Sequence, residues 1–123
     1  MKNLKWTGLL ACAMALGVVS PAFSHHSHAM YDHTKDVTIT GNVLSFAYIN
    51  PHGSIDIAVQ GENGQVVKYW IEMSNLTNMV TRGITKATFK HGDKVTVTMH
   101  PLRDGRPGGS YVTIIAADGK TYD

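Results

Sequence analysis

Cysteine is nearly absent: Cys12 is the only one among 123 residues, and it lies in an apolar stretch near the amino terminus. Disulfides, thiolate metal sites and cysteine nucleophiles are therefore excluded from everything that follows it. Long hydrophobic runs are scarce as well. The one candidate, Trp6 to Val19, is shorter than the roughly 20 residues that a membrane-spanning helix requires. Charge of one sign is not in excess either, with 11 Lys and Arg against 9 Asp and Glu. No basic stripe argues for nucleic acid, whose binding depends on phosphate neutralisation. No nucleophile elbow, paired-carboxylate signature or zinc-protease motif occurs. The glycine-rich stretch Gly105 to Gly109 lies between two expected strands, so no helix amino terminus stands behind it to receive phosphate.

The amino terminus has the anatomy of a secretory leader. Lys2 and Lys5 form a positive region, the apolar run follows, Pro21 breaks it, and Ala22-Phe23-Ser24 supplies small residues at an A-x-A-like cleavage site. Cleavage is expected between Ser24 and His25, which assigns residues 1–24 to a signal peptide and the product to the periplasm; a cut after Ala22 is the alternative. Leu9-Leu10-Ala11 before Cys12 resembles a lipobox, but the apolar region continues past Cys12, which argues against a lipoprotein. Removing Lys2 and Lys5 with the leader leaves nine basic and nine acidic residues, a net charge near zero. About 100 residues then remain, enough for one small domain.

Residues 25–36 are polar and histidine-rich without a period, and read as an amino-terminal arm. Val37 to Tyr48 alternates β-branched and aromatic residues with small or polar ones and predicts a long strand, with Gly41 marking a bulge or bend. Ile55, Ile57 and Val59 mark a second strand. Gly61-Glu62-Asn63-Gly64 is a hairpin turn, and Val66 to Glu72 a third strand. Ser74 is placed to cap a short helix from Asn75 to about Arg82, with Leu76, Met79 and Val80 on one face. Lys94 to His100 and Tyr111 to Ala116 complete a set of five strands, joined by a Pro/Gly-rich loop. Three strands, a short helix and two strands is the chain order of the five-stranded OB barrel, so residues 37–123 are expected to form an all-β, OB-like barrel with one short helix between strands three and four. A small open β-sandwich would present the same string.

Chemistry concentrates in the histidines. If His25 comes first, its amine and ring chelate one metal together, and His26, His28 or His33 can complete a square-planar set suited to Cu(II). A solvated linker is the competing reading of the same tract. His52, in Asn50-Pro51-His52-Gly53, and His100, before Pro101, occupy the two loops that flank the ligand face of an OB barrel. They are expected to approach one another there as further metal ligands, or else to cap strand ends. His91 reads as turn surface, and Met73, Met79 and Met99 as core. Tyr48, Trp70, Arg103 and Asp104 are candidate ligand-binding residues on the same face. One of Tyr69 and Trp70 must turn inward by strand alternation.

These segments together resemble DUF6152, a family of small exported bacterial proteins of unknown function. The resemblance rests on His25-His26-Ser27 after the leader, Met30-Tyr31-Asp32, Val37-Thr38-Ile39-Thr40-Gly41, Asn50-Pro51-His52, Trp70-Ile71-Glu72, His91-Gly92-Asp93 and His100-Pro101-Leu102-Arg103-Asp104-Gly105. It implies export and a small β domain, with no established activity. Typical members look like His-His-Ser-Phe at the start, so His28 departs from the pattern, and His25 and His26 are the better ligand candidates. The expectation is a periplasmic, non-enzymatic barrel that binds a divalent transition metal, copper before others. The alternative is an OB-like module for a glycan, peptide or periplasmic protein without a metal, or a metal-independent scaffold. A copper-bearing amino-terminal histidine also looks like the histidine brace of lytic polysaccharide monooxygenases and periplasmic copper carriers, a likeness of one site without their fold.

Overall fold

Period-two alternation builds the sheet, because successive side chains leave a strand on opposite faces. The structure, a computed structural model, describes residues 26–123, with side chains from His28 onward; the leader, its cleavage site and His25 lie outside the described residues. Five main strands form: β1 (Val37–Ala47), β2 (Ser54–Gln60), β3 (Val66–Glu72), β4 (Lys94–Pro101) and β5 (Gly108–Ile115). A two-residue strand, β6 (Thr121–Tyr122), pairs with the end of β5. Two short helices join them, α1 (His26–Ala29) and α2 (Leu76–Thr81). The sheet runs β3-β2-β1-β4-β5-β6, and a parallel pairing of β3 with β5 closes it. This is the five-stranded barrel expected from the chain order, with α2 between β3 and β4. Closure removes most of the exposed strand edge that a small all-β domain must otherwise protect.

Inward positions follow the alternation: Val43, Ile55, Ile57, Ile71, Val95, Val97, Met99 and Ile114 are almost fully buried. Each contributes about 1.5–3 kcal/mol relative to exposure. Met73 and Met79 join them, so the three methionines read as core are core. Phe46, Phe89 and Tyr122 add edge-to-face ring contacts with centroids 5.2 and 5.8 Å apart, an arrangement favoured by the ring quadrupole. Tyr69 turns toward this core and Trp70 away from it, as alternation requires.

Local details of α2, β1 and β5 differ from expectation. Asn75, not Ser74, caps α2: its side chain accepts the Asn78 amide at 2.8 Å, and the helix begins one residue later than expected. Met79 is buried, but Val80 is 62% exposed, because so short a helix presents only a narrow stripe to the barrel. The bulge in β1 falls between Val43 and Ser45 rather than at Gly41; Gly41 instead lets the Ala58 carbonyl approach where a Cβ would collide with it. Likewise β5 starts at Gly108, inside the expected loop. Gly108 has φ 151° and lies against the Trp70 carbonyl, so a residue without a side chain is what allows β3 and β5 to close the barrel.

Candidate functional site

Alternation along the strand ends sets a polar row on the outer face of the barrel. Ile71 and Met99 point inward, which turns their neighbours Glu72 and His100 outward. Register then aligns Ser54 with Glu72, Glu72 with Ser110, and Ser110 with His100. The amino-terminal arm lies over this row. Tyr31 forms a bridge with Leu102, Asp32 N–H donates to Pro101 O at 2.9 Å, and Arg103 N–H donates to Met30 O at 2.9 Å. The Arg103 guanidinium adds a bond from Nε to Tyr31 O at 3.0 Å. The arm thus runs as an added strand segment along the continuation of β4.

Tyr31 is the anchor of that contact. Its side chain is 2% exposed, and its hydroxyl donates to Glu72 Oε2. Burial, and after it the hydrogen bond and charge of Glu72, push the phenol well above its ordinary value, so it stays protonated and donates throughout the physiological range. The other Glu72 oxygen accepts from His52 Nδ1 at 3.0 Å. Because a carboxylate oxygen only accepts, Nδ1 is the donor in this contact and the lone pair of an uncharged His52 ring falls on Nε2. Asp32, beside Tyr31, accepts from the Thr34 hydroxyl at 2.6 Å and the Thr34 amide at 3.1 Å, which hold its carboxyl below the usual range.

Docking of the arm brings three imidazoles into succession. The ring centroids of His28 and His33 are 5.9 Å apart, and those of His33 and His100 are 4.7 Å apart. His33 Nε2 faces the His28 carbonyl at 3.1 Å. His100 Nδ1 faces the Lys35 carbonyl at 3.1 Å and Asp36 Oδ1 at 3.2 Å. Among the described residues, no three His, Cys, Asp or Glu side chains are gathered closely enough to hold a metal ion by themselves.

The model of DUF6152, a family of unknown function, matches residues 13–111. The chain belongs to DUF6152. No curated protein and no solved structure matches it. Of the segments that carried the resemblance, Met30-Tyr31-Asp32, Asn50-Pro51-His52, Trp70-Ile71-Glu72 and His100 to Gly105 all meet around Tyr31 and Glu72.

The candidate residues of this DUF6152 member fall into separate places. His28 and His100 come together through His33. His52 sits on Glu72, and Tyr31 links it to the histidine cluster rather than direct contact. Glu72 and His100 are two strands apart, about 9–10 Å at the usual spacing. His25 and the side chain of His26 lie outside what is described. Tyr48 donates its hydroxyl to Ile84 O at 3.2 Å and packs on Phe46, which commits it to the α2 side of the barrel. Arg103 is engaged by the arm, and Asp104 pairs with Arg106, whose amide and guanidinium hold its carboxyl below the usual range. His91 is exposed and accounted for by its contact from Nδ1 to Leu44 O at 2.9 Å. Tyr31, Glu72 and Asp36 were missing from the candidate set. Tyr31 carried one signal: a large aromatic in an otherwise polar arm has a reason to be buried.

Among the described residues, no helix is long and apolar enough to cross a membrane. Trp70 opens onto a cleft of about 390 Å³ beside the arm, walled by Met30, Leu102 and Pro107, with Lys68 and Arg106 at its rim. Lys68 is paired with Asp56 at 3.0 Å and Arg106 with Asp104 at 2.7 Å, so neither rim cation is unpartnered.

Proposed function

We propose that this DUF6152 protein is exported to the periplasm and binds a divalent transition metal, copper before others, through the histidines of its amino-terminal arm, without catalysing a reaction. One observation carries the reading: the arm is docked, and its docking sets His33 beside His100 and His28 next to His33. A solvated linker has no reason to bury Tyr31 or to spend four hydrogen bonds on the strip from Pro101 to Arg103 and the Glu72 carboxylate. Imidazole suits copper, nickel and zinc, and no thiolate follows Cys12 to compete for the ion. The described residues do not complete a ligand set, so on this reading His25, His26 and the amine released by leader removal supply the rest. Titration of the processed protein with Cu(II), beside a His25→Ala/His26→Ala variant, tests it. Binding at micromolar or tighter concentration that is lost in the variant is the expected result; equal weak binding by both refutes it.

The cleft at Trp70 favours a second reading, a module for a glycan or peptide that needs no metal. Trp6 belongs to the expected leader, so Trp70 would be the only tryptophan of the processed chain. A ligand stacking on it shifts or quenches fluorescence whether or not copper is present; no change across a panel of oligosaccharides and peptides removes this reading.

A further inference from the structure

We propose that His33, on the arm, and His100, on β4, bind one metal ion together, through Nδ1 of His33 and Nε2 of His100. The inference rests on the metal-binding reading above and deepens it by naming two ligands among the described residues. A carbonyl oxygen only accepts, so His33 Nε2, at 3.1 Å from the His28 carbonyl, carries the proton and leaves the lone pair on Nδ1. The Lys35 carbonyl and Asp36 carboxylate do the same at His100 Nδ1 and leave the lone pair on Nε2. Each ring is therefore held in one tautomer by a partner on its far nitrogen, the arrangement by which metal-binding histidines are oriented and made more basic.

The spacing agrees. Two imidazoles bound side by side to one ion, with bonds of about 2.0–2.1 Å, have ring centroids about 4.5–5 Å apart. His33 and His100 are at 4.7 Å. His28 and His33, at 5.9 Å, are too far apart for neighbouring positions, and His52 is turned onto Glu72. One ring comes from the arm and the other from β4. Metal bound by both would staple the arm to the barrel, with water able to fill the remaining positions.

The test is a competition titration of the processed protein with Cu(II) against a chromophoric chelator, with nitrogen ligands counted by electron paramagnetic resonance. The variants are His33→Phe, which keeps the ring contact and removes the nitrogens, His100→Ala, and His91→Ala as a control that lowers the histidine count. Melting curves without metal establish that each variant folds. Losing an orienting partner alone typically costs about 10–100-fold in metal affinity, so loss of a ligand should weaken binding at least tenfold. Supporting results are that loss and a lower nitrogen count in His33→Phe and His100→Ala, with His91→Ala unchanged. Wild-type binding with an unaltered nitrogen count and affinity in His33→Phe and His100→Ala overturns this inference and leaves the amino-terminal reading standing. A wild-type chain that binds no copper overturns both.

Discussion

Removing one oxygen atom from the arm tests whether Tyr31 is its anchor. Tyr31→Phe keeps the buried ring and deletes the bond to Glu72, leaving one carboxylate oxygen without its donor on a face covered by the arm. A hydrogen bond to a charged group contributes about 1.5–3 kcal/mol. For a domain of this size 1 kcal/mol shifts the melting midpoint by about 4–8 °C, so a loss near 2 kcal/mol lowers it by about 8–16 °C if the arm unfolds with the barrel. If the arm releases first, the midpoint moves less, and the loss appears as local opening. Trypsin reports that opening, because Lys35 lies between the anchor and β1 and its side chain is 71% exposed. Tyr31→Phe should speed cleavage after Lys35, and Tyr31→Ala, which also empties a buried ring site, should speed it further. The pH dependence has a fixed sign. The phenol is raised above its unfolded value of about 10, so its contribution is complete below that pH and is lost as pH rises toward the folded value. Wild type should therefore lose stability above about pH 10 more steeply than Tyr31→Phe. A Tyr31→Phe protein with unchanged midpoint, unchanged cleavage at Lys35 and the same alkaline slope would refute the anchor.

Two further substitutions probe the scaffold beneath the site. Asn75→Ala removes the cap of α2 and should cost about 1 kcal/mol in denaturant unfolding, whereas Ser74→Ala should be close to neutral; the reverse order would return the cap to Ser74. Gly108→Ala places a methyl group against the Trp70 carbonyl at a backbone angle that L residues avoid, so it should open the β3–β5 seam. Amide exchange at Trp70 to Glu72 should accelerate more than at β1, and uniform exchange would count against that seam as the barrel's closure.

The barrel was largely legible because its signal is local. Alternation in Val37 to Tyr48, the Asn63-Gly64 turn and the apolar runs of the later strands each depend on neighbours a few residues away. Gly108 and Gly109 read as loop because a glycine needed for close strand approach looks, in sequence, like a glycine needed for a turn. The site was less legible because its contacts are remote: 41 residues separate Tyr31 from Glu72, and 65 separate Lys35 from the His100 ring that it orients. His52 and His100 were expected to approach one another, but loop positions give no distance between them; His52 pairs with Glu72, and His100 lies beside His33. Glu72 looked like a polar strand end, and only the register with Ser54 and Ser110 reveals it at the centre of a polar row.

The anchor and the histidines are connected by an entropic argument. A chelate assembled on a free tail must order that tail when the ion arrives, at roughly 1–2 kcal/mol of backbone entropy per residue fixed. Here Tyr31, Asp32 and Arg103 order the segment from Met30 to Asp32 during folding, so His33 stands one residue beyond a fixed stretch and beside His100 before any ion binds. The hydroxyl of Tyr31 touches no proposed ligand, yet copper affinity should depend on it. Tyr31→Ala should weaken binding although every imidazole remains, because the ion would then have to bring the arm back to the barrel. An unanchored histidine tract makes the opposite demand: its affinity would follow the number of histidines and ignore Tyr31. A Tyr31→Ala protein that binds copper as tightly as wild type would therefore separate the metal from the fold, and make the docking of the arm a matter of stability alone.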